Sequence, residues 1–121
     1  MADVETVFRK LQAAYTSKDI ETMMSMVTDD YSVYNVTEAG PKKLVSSRDE
    51  AARALKMVFG NESYLSGHAE SIQAVGNIVH AKEIDIYSQG GQRLQATRFG
   101  VYEFVGEKLS RAWNFAVRDQ A

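Results

Sequence analysis

The sequence predicts an α+β fold: a curved antiparallel sheet, one short strand plus a four-strand meander, wrapped around three helices into a cone with an open mouth. Two observations predict it. Apolar residues at helical spacing dominate the first half of the chain, and after Gly60 they give way to four long strand-like segments joined by glycine turns. The composition, 45% hydrophobic and 25% charged, is that of an ordinary globular chain, which can bury a core against such a sheet.

In chain order, Val4, Val7, Phe8, Leu11, Ala14 and Tyr15 recur at helical spacing to about Ser17, with Asp3 placed to cap the start. Asp19 caps a second, shorter helix whose stripe is Ile20, Met23, Met24 and Val27, ending near Thr28-Asp29-Asp30. Tyr31-Ser32-Val33-Tyr34-Asn35-Val36 has the aromatic and β-branched content of a strand. The stretch from Thr37 to Ser46 holds the single proline, Pro41, and reads as a loop. Ser47-Arg48-Asp49-Glu50 is a capping box, and the helix behind it carries Ala51, Leu55, Val58 and Phe59 on one face before stopping at Gly60.

Segments near 63–75, 78–88, 93–105 and 108–118 then form the meander, with connections at Gly76-Asn77, Gly90-Gly91 and Gly106-Glu107. Alternation groups His80 and Lys82 with Ile84 and Ile86 on one face of the second segment, and Glu83, Asp85 and Tyr87 on the other. On the third, Arg98, Gly100, Tyr102 and Phe104 share a side; on the last, Leu109, Arg111, Trp113, Phe115 and Val117 do. Neither face is purely polar, which predicts a sheet covered by its own helices on one side and by a second copy of the chain on the other.

Length and charge exclude several classes. The 121 residues suffice for one domain, 1–121, with a single core. The longest apolar runs fall far short of the ~20 residues that span a bilayer, and Met1-Ala2-Asp3-Val4-Glu5 is acidic where a signal peptide is basic and then apolar. A cytoplasmic protein without membrane partners is the expectation. The net charge of -2 and the scattered basic residues argue against nucleic acid, which needs a concentrated basic face. Cysteine is absent, which removes thiolate chemistry, and the two histidines lack metal-ligand spacing; no metal and no cofactor is expected.

The run Asp19-Ile20-Glu21-Thr22-Met23-Met24-Ser25-Met26-Val27-Thr28-Asp29-Asp30-Tyr31-Ser32-Val33, with the later capping box and the Arg111-Ala112-Trp113-Asn114-Phe115 strand, resembles the nuclear transport factor 2-like superfamily in its SnoaL-like and ketosteroid-isomerase-like branch. Lys18 stands where that pattern usually has glycine. The resemblance covers nearly the whole chain. It implies the cystatin-like cone, an internal pocket for a small molecule and a homodimer through the sheet face. The superfamily also includes limonene epoxide hydrolases and the association domain of calmodulin-dependent kinase. The ketosteroid isomerase catalytic set does not carry over: its proton-shuttling carboxylate falls on Asn35, its oxyanion tyrosine on Leu11, and its protonated acid near Gly100. Limonene epoxide hydrolases place an Arg between two Asp residues, but Arg98 has no Asp near it in sequence and Asp85 is predicted to face away.

The predicted inward set is Tyr15, Tyr34, Asn35, His80, Arg98, Tyr102, Arg111 and Trp113, with Phe59, Ile84, Ile86 and Phe115 as apolar walls. Each has a plain structural reading beside the functional one: Tyr15 and Trp113 as core packing, Asn35 as a strand-end cap, His80 as a half-exposed strand residue. The catalytic candidates are His80, Asn35 and Tyr15. Arg98 and Arg111 are set against each other across the Gly106 hairpin, where Glu103 or Glu107 would pair them at the surface or an anionic ligand would do so inside. The expected function is binding of a small molecule, anionic or carbonyl-containing, with proton transfer at an enolisable carbonyl as the candidate chemistry. The alternative is a non-catalytic association module that uses Phe99, Val101 and Ala112 on the sheet face.

Overall fold

A computed structural model of the chain describes residues 3–116. Met1, Ala2 and Val117, which entered the sequence reading, lie outside them. Three helices, α1 (Val4–Thr16), α2 (Ile20–Ser25) and α3 (Arg48–Phe59), accompany six strands: β1 (Val27–Thr37), β2 (Gly40–Val45), β3 (Tyr64–Val75), β4 (Ile78–Gln89), β5 (Gln92–Val105) and β6 (Lys108–Ala116). The expected caps form. Asp3 accepts from the Thr6 backbone N–H at 2.8 Å, Asp19 from Thr22, and Ser47 from Glu50 at 3.2 Å. Lys18 sits between α1 and α2 with φ 60, a left-handed backbone where glycine is the easier residue.

The strands make one curved sheet in the order β2-β1-β6-β5-β4-β3. Two differences from expectation concern its first half. The Thr37–Ser46 stretch is a hairpin return rather than a loop, with Val36 opposite Pro41 and Thr37 opposite Gly40. Pro41 fits there because β2 is an edge strand, where a missing N–H interrupts no ladder. The sheet is also not wholly antiparallel, since β1 runs parallel to β6. Val27, expected on the stripe of α2, opens β1 instead and is buried.

The core fills the closed end of the cone. Val7, Phe8 and Leu11 of α1 pack against Val79, Ala81, Tyr102, Phe104 and Ala112 of the sheet. Facing departs from expectation on two strands. On β4 the grouping by alternation holds, but the inward face is Val79, Ala81, Glu83, Asp85 and Tyr87, so His80 is exposed on the outside. The register explains it: Val79 is opposite Tyr102, Ala81 opposite Gly100 and Glu83 opposite Arg98, so this face continues the inward face of β5. On β6 an extra residue, Ser110, separates the pairs Phe104/Leu109 and Glu103/Arg111. This bulge reverses the alternation, so Leu109, Ala112 and Asn114 face inward while Arg111, Trp113 and Phe115 face out. Among the described residues, no helix is long and apolar enough to cross a membrane.

Candidate functional site

Beyond the core, the cone opens into a cavity of about 490 Å³, a size that suits a small organic ligand. Its walls differ in chemistry. The wall from β2 and α3 is apolar, with Leu44, Val45, Ala51, Ala54, Leu55 and Val58. The amphipathic stripe of α3 therefore faces the cavity, and only Ala51 of that helix is buried. The opposite wall, from β4, β5 and β6, carries Glu83, Asp85, Arg98, Tyr102 and Asn114, and α1 adds Gln12 and Tyr15.

Arg98 organises this polar wall. Its Nη1 donates to Glu83 Oε2 at 2.9 Å and its Nε to Asp85 Oδ2 at 2.8 Å, so one guanidinium is bracketed by two carboxylates. Glu83 is 2% exposed and fully engaged: the Tyr102 hydroxyl donates to Oε2 at 2.5 Å and Gln12 Nε2 to Oε1 at 3.1 Å. Burial pushes its carboxyl above the usual range, opposed by the Arg98 charge and by these hydrogen bonds. Burial likewise works against the Arg98 charge, but Glu83 and Asp85 more than restore it and hold the group protonated.

Asp85 has a freer oxygen. Its Oδ1 lies 3.4 Å from the Tyr64 hydroxyl, which donates to the Tyr15 hydroxyl at 2.9 Å. Burial raises the pKa of both phenols, so both remain protonated donors near neutral pH. Two glycines permit this convergence. A Cβ on Gly67 would lie 2.7 Å from Asp85 Oδ1 and 2.9 Å from the Tyr15 ring, and one on Gly100 would lie 2.5 Å from the Tyr102 hydroxyl.

Of the residues expected inward, Tyr15, Asn35, Arg98 and Tyr102 line the cavity. Tyr34 and Trp113 do not: they stack on each other, ring centroids 5.7 Å apart, on the outer face, as their register pairing requires. Arg111 is also outside, paired with Glu103 at 2.6 Å, so it never meets Arg98, which lies opposite Ala116. Phe59 packs behind Tyr15 at 5.2 Å and does not reach the cavity wall. Neither Ile84 nor Ile86 lines it, and Phe115 is exposed on the outer face. Ala112, expected on the association face, is inside and buried. Glu83, Asp85, Tyr64, Gln12 and Asn114 lie outside the set expected from sequence, although one signal points to them. Glu83 and Arg98 stand equally far on either side of the Gly90-Gly91 turn, so simple hairpin pairing sets them face to face. Among the described residues, no three His, Asp or Glu side chains gather to hold a metal ion.

A family model described as a SnoaL-like domain matches residues 8–112. No curated protein matches the sequence. Among solved structures, a loop-truncated variant of IdmH superposes with a TM-score of 0.78 at 13% identity, covering 93% of this chain and 91% of that one. AclR, a putative hydroxylase from Streptomyces galilaeus, gives 0.77 at 17% identity, covering 97% and 76%. An LEH-like epoxide hydrolase of M. tuberculosis gives 0.75 at 19% identity, covering 93% and 80%. At such identities the likeness establishes the cone-shaped fold and leaves the chemistry to the side chains.

Proposed function

The chain belongs to the SnoaL-like domain family, and from that premise we propose that it is an enzyme that binds a small molecule in the cone and moves a proton on it, with Asp85 as the base. The observation that carries this reading is Arg98 held between Glu83 and Asp85 on the wall of the cavity. Glu83, with all its partners engaged, anchors the guanidinium. Asp85, with Oδ1 less committed, takes a proton from a carbon made acidic by a neighbouring carbonyl. Tyr15 and Arg98 supply hydrogen bonds to the oxygen on which negative charge develops, and Tyr102 holds Glu83 in place. Returning the proton to a different carbon completes an isomerisation with no other reactant. The position taken by the isomerase carboxylate in the resembling enzymes is Asn35 here, so the base comes from a different strand.

The bracketed arginine also favours a second reading, in which Asp85 activates a water to open an epoxide. Nuclear magnetic resonance of cyclic ketones incubated in deuterium oxide separates the two. The first reading expects deuterium exchange next to the carbonyl, slowed about a hundredfold or more in Asp85→Asn. Diol formation from epoxides without exchange would move the assignment to the second, and neither reaction with any compound would sink both.

The same premise supports a homodimer through the outer face of the sheet. There Phe99 lies opposite Phe115, and Val101, Trp113 and Tyr34 follow one another across three strands. Phe99 is 45% exposed, a large apolar surface for a side chain in the middle of a strand.

A further inference from the structure

The cavity's charges and its uncommitted donors favour one class of ligand over another. Its charged lining groups are Glu83, Asp85 and Arg98, two carboxylates against one guanidinium, and the guanidinium already donates to both. An incoming anion therefore meets two carboxylates for one guanidinium whose Nε and Nη1 already serve them, leaving Nη2 as its remaining donor. This removes the electrostatic case for an anionic ligand, which depended on Arg98 and Arg111 sharing the interior.

The neutral polar groups have a different arrangement. Asn35 of β1 and Asn114 of β6 are register partners and both line the cavity, so the two amides project into it from adjacent strands beside Arg98. Arg98 Nη1 approaches Asn114 Oδ1 at 3.4 Å, and because a guanidinium only donates, the amide oxygen must be the atom that faces it. The Asn114 amide nitrogen is thereby turned elsewhere. Among the described residues neither it nor the Asn35 amide nitrogen donates a hydrogen bond, while Leu44, Leu55 and Val58 present hydrocarbon across the cavity. Half-buried donors without partners gain most from an acceptor that arrives with the ligand.

We propose that Asn35 and Asn114 form a paired amide clamp for the oxygen of an uncharged, otherwise apolar ligand, and that the cavity discriminates against carboxylates of the same shape. This rests on the reading of the cavity as a ligand site and is independent of the proton-transfer chemistry. Three probes of matched shape test it by isothermal titration on the full chain: 2-acetonaphthone, 2-naphthoate and 2-isopropenylnaphthalene. The ketone is expected to bind at least about tenfold more tightly than either of the others. Asn35→Ala and Asn114→Ala should each narrow the preference for the ketone over the hydrocarbon by about tenfold, with cooperative thermal unfolding retained as the report of an intact fold. Naphthoate binding as tightly as the ketone, a ketone preference that survives in both variants, or no binding by any probe would overturn the proposal. Loss of the ketone preference would leave an exchange defect of Asp85→Asn standing, and an unimpaired Asp85→Asn would leave the ketone preference standing, so the two readings fail separately.

Discussion

Glu83 is the residue at which burial and pairing compete most openly. Its carboxyl is raised chiefly because it is buried, with Arg98, Tyr102 and Gln12 opposing. Between the ordinary value of 4.5 and the raised folded value, the folded chain holds a proton that the unfolded chain has released. The stability this contributes is full below 4.5 and is lost as pH rises through the folded value. Relative to Glu83→Gln, the wild type is therefore expected to lose stability as pH rises from the acid range to neutrality, measured by urea unfolding at each pH. A difference that stays flat would mean that Arg98 and the hydrogen bonds cancel burial, and one that grows with pH that they outweigh it. Residues of this kind are only half legible in sequence. Alternation sorted Glu83 and Asp85 together correctly, but the apolar character of Ile84 and Ile86 pointed to the wrong face as the interior. Both faces of β4 carry apolar groups, so hydrophobicity could not rank them; the buried partner of Arg98 does.

The helices, by contrast, announce themselves, because caps and a helical stripe are local signals. Ser47 and Glu50 show it: the Ser47 hydroxyl accepts from the Glu50 N–H, and the Glu50 carboxylate accepts from the Ser46 N–H at 3.0 Å. Replacing Ser47 with Ala should cost about 1 kcal/mol, and with Gly only a few tenths, in denaturant unfolding. Equal losses would show that the hydroxyl does not hold the helix start. Strand β2 and the Ser110 bulge were less legible for the opposite reason. Pro41 is acceptable in a strand only at a sheet edge, and edge position is a property of topology. Likewise, the shift from Leu109 to Arg111 exists only in pairing with β5, where two residues face one. That single insertion moves Trp113 and Arg111 out of the cavity and brings Asn114 in.

At the scale of the molecule, the proposed dimer makes the outer face of the sheet the surface to test. Phe99 and Phe115 are directly paired and both exposed, so a glutamate at either position would place charge at the centre of the proposed contact. Sedimentation is expected to show a dimer for the wild type and a monomer for Phe99→Glu and Phe115→Glu, with cooperative unfolding retained. A wild-type monomer, or dimers in both variants, would remove the sheet-face contact. The parallel pairing of β1 with β6 has a consequence in time as well as in space. Through it, among the described residues, β1 has β2 as its only strand neighbour until β6 has been made. Most pairings in the sheet are hairpins that form between neighbours in sequence, but this one, from Val33 to Ala112, closes a loop through about two thirds of the chain. Its entropic cost falls late and makes the closure slow. The side of the cavity where Asn35 meets Asn114 is therefore incomplete until β6 has been made.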